Sequence, residues 1–123
     1  MREVLTASEA GEPRARLAID VYVHRAVQTI GGMAAVLGGV DGLVFTAGVG
    51  EHAAMIRKRI CENLGHLGLE LGPAANAACK PDADIGAPGS GGRILVIKTR
   101  EDLTIVREVR RLIQSSSNRG AIS

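Results

Sequence analysis

Between Arg14 and Leu37 apolar residues return every third or fourth position, at Ile19, Val23, Ala26, Ile30, Met33 and Leu37. Arg16, Asp20, His24 and Gln28 recur every fourth position on another face, so the period predicts an amphipathic helix. Pro13 suits its first turn, where a missing N–H costs nothing, and Gly38-Gly39 can take the left-handed conformation that stops it. Gly31-Gly32 within this pattern predicts a close backbone approach or a kink. The run Gly42-Leu43-Val44-Phe45-Thr46 is too short for a helix and nearly continuous in hydrophobicity, which predicts a strand buried on both faces. A second helix is expected from about Glu51, with Ala53, Ile56, Ile60 and Leu64 on one face, Arg57, Lys58 and Glu62 on another, and Gly65 as its stop. Leu67 to Leu71 reads as a short strand, and Gly72 to Gly92 as a loop with a helical turn between Pro73 and Cys79. Arg93 to Ile97 reads as a strand, after which Thr99 and Asp102 form a capping-box pattern ahead of Leu103, Val106, Val109 and Ile113. Helices alternating with strands predict an α/β layered fold with a mainly parallel sheet.

Composition narrows this picture. The 123 residues fit one domain, and with 46% hydrophobic residues but one Phe, one Tyr and no Trp the core must be aliphatic. A formal charge of +2 leaves no electrostatic footprint of the size used on nucleic acid. No apolar run reaches the roughly 20 residues of a membrane helix, and Met1-Arg2-Glu3 does not begin a signal peptide. A cytoplasmic protein with no nucleic-acid or membrane partner is therefore expected, its polar stretch 115–123 forming a disordered tail. Cys61 and Cys79 lack CxxC or paired Cys/His spacing and read as free thiols. His24 and His66 have no partner at metal-ligand spacing and read as solvated or core residues.

The chemistry concentrates in Val44-Phe45-Thr46-Ala47-Gly48-Val49-Gly50-Glu51-His52, where a strand turns through glycines directly into a helix. Glycine lets backbone approach a ligand, and a helix start offers unpaired N–H groups, so the turn suits a phosphate or nucleotide. An ordinary tight strand-to-helix connection would look the same. Gly48-x-Gly50-x-x-Ala53 also fits a dinucleotide fingerprint, with Glu70 about 20 residues on, where an acidic ribose ligand is expected. A Walker-type GxxxxGK[ST] loop and a serine nucleophile elbow are absent.

The run GVDGLVFTAGVGEH (39–52), continued by IRKRICENLGHLGLEL (56–71), resembles the carboxy-terminal domain of acetate kinases and related short-chain fatty-acid kinases. MREV (1–4) is similar to that family's DMR segment without its Asp, ARLAIDVYVHR to its long helix, and KTREDLTIV (98–106) to its TNEEL motif. The resemblance covers about residues 1–114 and implies an incomplete, three-layer, ribonuclease H-like (actin-like ATPase) domain with a mainly parallel sheet and flanking helices. It implies ATP/ADP and Mg²⁺ as cofactors, acetate or another short carboxylate as acceptor in the complete enzyme, and a homo-oligomer. Carried over residue by residue, Gly48, Val49, Gly50, Glu51 and His52 form the nucleotide-binding turn, Arg2 contacts the nucleotide, and Glu101 takes the acidic position associated with Mg²⁺. Glu101 could equally favour the dipole at a helix start. Three positions depart from the family pattern: Ala47 replaces a frequent Gly, His52 stands where Asn is common, and Arg100 replaces an Asn. The family's carboxylate-binding arginines and the histidine and arginine beside the transferring phosphoryl group have no counterpart in these residues, so no catalytic residue is assigned and the isolated chain is expected to be inactive. The rival readings are a free-standing nucleotide-binding or interaction module and an NAD-binding Rossmann-type unit.

Overall fold

The computed structural model describes residues 1–120, and its elements follow the order α1 (Arg2–Glu9), α2 (Pro13–Leu37), β1 (Gly42–Phe45), α3 (Ala47–His52), α4 (Ala54–Cys61), α5 (Pro73–Ala77), β2 (Ala83–Asp84), β3 (Arg93–Val96) and α6 (Glu101–Gly120). Pro13 opens α2 as expected, and the Glu12 carboxylate accepts from the Arg14 N–H at 3.2 Å and the Ala15 N–H at 2.7 Å. Gly38 closes the helix at φ 75°. The buried stripe of α2 runs through Ala15, Ile19 and Val23, with Ala26 and Ile30 packed against the core, but Met33 is 61% exposed and nothing lies against Gly31 or Gly32. The close approach expected at those glycines is not made among the described residues, although Ala34 beyond them is buried.

The sheet has three strands in the order β1-β3-β2. β1 pairs β3 in parallel, Gly42 opposite Arg93 through Phe45 opposite Val96, and β2 pairs β3 antiparallel. The sheet is thus mixed where a mainly parallel one was expected; the antiparallel strand lies within the stretch 72–92 read as loop. Leu67 to Leu71 forms no strand either: Gly65–Leu67 is a 3₁₀ turn, and Leu71 makes one isolated bridge to Gly86. β1 is an edge strand with Val44 54% exposed, so it is not buried on both faces. An aliphatic core fills the space between sheet and helices, centred on Ile19, Ile56, Leu64, Leu69, Ile85, Ile94 and Val96.

The second helix is divided. α3 begins within the glycine turn at Ala47, and a non-helical Ala53 (φ −105°, ψ 77°) separates it from α4. At the other end α6 runs on through residues 115–120, where a tail was expected; the last three residues of that tail, 121–123, lie outside the described residues. The α6 residues Leu103, Ile105, Val106, Val109, Leu112 and Ile113 are all exposed. No helix among the described residues is long and apolar enough to cross a membrane. Both cysteines are free; Cys61 is buried, which pushes its thiol up to about 11.

Candidate functional site

Parallel pairing places the carboxyl ends of β1 and β3 side by side, the edge at which open α/β sheets take ligands. The chain leaving β1 passes through Thr46 into α3, and the chain leaving β3 passes through Lys98 and Thr99 towards α6. The two exits are stitched together. The Thr46 and Thr99 hydroxyls share a hydrogen bond of 3.0 Å, the Ala47 N–H donates to Thr99 Oγ1 at 2.9 Å, and the Thr99 N–H donates to Glu51 Oε1 at 2.7 Å. Thr99 therefore faces β1 rather than forming the expected capping box with Asp102. Its neighbour Arg100 instead pairs with Asp82 at 2.6 Å.

Ala47 has a φ of 59°, the left-handed conformation that a side chain disfavours. It is the position where the family pattern carries a frequent Gly.

The two glycines of the turn do different jobs. A Cβ added to Gly50 would stand 3.1 Å from the backbone carbon of Phe45, so this glycine lets α3 lie against β1. A Cβ on Gly48 would meet nothing within 4 Å, because Gly48 faces an open cleft. That cleft, about 410 Å³, is lined by Met1, Arg2, Leu5, Gly48, Val49, His52 and Ala53. α1 packs on α2 and carries Arg2 across to the start of α3. Four of the expected site residues, Arg2, Gly48, Val49 and His52, are thus brought together.

The other three lie apart from the cleft lining. Gly50 faces β1, and the Glu51 side chain, 9% exposed, turns to the Thr99 N–H, the hydrogen bond that chiefly holds its carboxyl below the usual range. Glu101 is exposed at the first residue of α6. No cluster of three or more His, Cys, Asp or Glu with metal-holding geometry occurs among the described residues. Glu101 stands as an exposed carboxylate beside Asp102 in the first turn of α6.

Arg57 was missed by the sequence reading, which set it on the solvent face of its helix. It is 2% exposed, and its guanidinium donates to Gly50 O at 2.9 Å, Glu51 O at 3.0 Å, Asn76 Oδ1 at 2.8 Å and Asn76 O at 3.1 Å. These acceptors are neutral, and burial lowers the guanidinium's proton affinity. The cation ties the last carbonyls of α3 to α5. The signal was present: Arg57 follows Ala53 by four positions and precedes Ile60 by three, which is the apolar face.

Glu70, the acidic partner required by the NAD reading, is not near this cleft. Its backbone is held in the Leu69–Leu71 segment by Ser90 and Ala87, and it lines a separate hollow with Lys58, Glu62 and Pro73. α3 is also only 6 residues long, unlike the extended helix of a dinucleotide unit. The geometry does not support the Rossmann-type alternative.

A mixed sheet whose parallel strands end at a glycine-bearing helix start, beside a cleft that Arg2 also lines, defines an α/β unit with a cleft near the carboxyl ends of its strands. Comparison with known proteins gives the particular lineage. A family model described as the Acetokinase family matches residues 1–107. The acetate kinase of Gloeobacter violaceus is 51% identical over 108 residues, which are 88% of this chain and 27% of that protein. The acetate kinase of Nostoc punctiforme is 48% identical over 115 residues, 94% of this chain and 28% of that protein. Among solved structures, Porphyromonas gingivalis acetate kinase superposes with a TM-score of 0.81 at 32% identity, covering 91% of this chain and 28% of that one. A propionate kinase from Francisella tularensis gives 0.76 at 36% identity, covering 85% and 26%. The chain belongs to the acetokinase family, and it spans little more than a quarter of the length of the relatives it matches.

Proposed function

We propose that this chain is the nucleotide-holding portion of a short-chain carboxylate kinase, one that moves the γ-phosphoryl group of ATP to acetate and yields acetyl phosphate and ADP. The observation that carries the reading is the cleft that Arg2 lines together with Gly48 and Val49 at the start of α3. Phosphoryl transfer depends on positioning and on neutralising charge over the phosphoryl oxygens. In this reading the Arg2 guanidinium neutralises phosphate charge, Gly48 leaves room for the nucleotide against the backbone, and His52 borders it. Glu101 would hold Mg²⁺ together with the phosphates, and the ion supplies charge neutralisation when bound.

The acceptor pocket would lie in residues that this chain does not carry, so the chain alone binds nucleotide without turnover. A cytoplasmic homo-oligomer is the setting proposed for the complete protein. Isothermal titration with Mg·ADP, Mg·ATP and NAD in parallel tests the reading, comparing the unaltered chain with Gly48→Val. Adenine nucleotide should bind, NAD should not, and the valine, whose Cβ meets nothing within 4 Å and projects into the cleft, should abolish binding. Equal binding by Gly48→Val would sink the assignment.

A further inference from the structure

We infer that Thr99 is a positioning residue that latches the entrance of α3, and that it sets the affinity of the nucleotide cleft without touching the ligand; this rests on the nucleotide reading above. Three observations converge. Ala47, the first residue of α3, sits at φ 59°, a conformation that alanine does not keep unless its surroundings hold it. The Thr99 hydroxyl takes the Ala47 N–H at 2.9 Å and bonds the Thr46 hydroxyl at 3.0 Å. The Thr99 N–H binds the Glu51 carboxylate at 2.7 Å, so one residue grips α3 at its first and fifth positions.

Gly48 and Val49, which line the cleft, lie between those two grips. Thr99 itself does not line it, and belongs to the exit of β3, 53 positions from Thr46. The latch therefore couples the β3–α6 junction to the geometry of the cleft. Glu51, through its Oε1, belongs to the same latch.

The test combines amide exchange at Ala47 with Mg·ADP titration, on the unaltered chain, Thr99→Val, Thr99→Ser and the pair Thr99→Val/Ala47→Gly. Thr99→Val should speed exchange of the Ala47 amide and weaken Mg·ADP about tenfold, the size of one hydrogen bond. Thr99→Ser, which keeps the hydroxyl, should leave both unchanged. Adding Ala47→Gly should restore affinity, because glycine adopts φ 59° without help. Should Thr99→Val fail to fold, refolding of the double variant supports the latch and its failure rejects it. Unchanged exchange in Thr99→Val, or a Thr99→Ser that behaves like valine, overturns the proposal. If the unaltered chain binds no nucleotide, the functional reading and the coupling fall together, while the exchange arm still decides whether Thr99 holds Ala47.

Discussion

At Ala47 a side chain occupies a backbone region that costs an L-residue roughly 1–2 kcal/mol. Ala47→Gly should therefore raise stability by about 1 kcal/mol, read as a higher urea midpoint with an unchanged slope; a lower midpoint would show that the conformation is not strained. The sequence flagged this position only through the family pattern, since φ cannot be read from residue type when the residue is alanine. Arg57 is the opposite case. Its spacing put it on the apolar face, but a charge ordinarily marks a solvated position, and only the tertiary fold shows carbonyls of α3 and α5 gathered around it. Arg57→Met should cost about 3 kcal/mol by leaving those acceptors buried without a donor. Thermal unfolding checks this, and a loss below ~1 kcal/mol would mean that water replaces the guanidinium.

Elements with a strong period were legible: α2 and β3 fall where the apolar spacing put them, and the glycine turn does join β1 to a helix. The misreadings are all local overrides. β2 is only two residues long and carries no pattern of its own; it exists because β3 offers an edge. The break at Ala53 has no proline or glycine to announce it, and arises where Arg57 takes up the last carbonyls of α3.

Two charge pairs lie beside the β2–β3 pairing, Arg100 with Asp82 and Arg93 with Asp84. Asp82 is held below its usual range first by its bond to Arg100 and then by the Lys98 N–H. Asp84 is lowered first by the Gly86 N–H and then by Arg93. A carboxyl depressed in the folded state contributes stability above its unfolded value of about 4, and loses it as pH falls through the lower folded value. Urea midpoints should accordingly hold from neutral pH to about pH 5 and fall by about pH 3, with a smaller fall in Asp82→Asn. Equal acid sensitivity in that variant would remove Asp82 from the account.

At the scale of the whole molecule, the carboxyl edge of the parallel strands was more legible in the sequence than the surfaces around it. Parallel strands followed by a glycine turn place that edge, whereas the cleft needs α1, which was read as a motif rather than as a helix. Met33 and Leu37 of α2 and the apolar stripe of α6 are exposed, because periodicity reports amphipathicity and says nothing about which partner covers it. In the proposed function adenine nucleotide sits between α1 and the start of α3. Amide-resolved NMR titration of the chain with Mg·ADP tests it most directly, because it reports the place of binding as well as the fact. Shifts should concentrate at Arg2, Gly48, Val49 and His52, with Glu70 and its neighbours still. Shifts centred on Glu70, or none anywhere at saturating nucleotide, would contradict it.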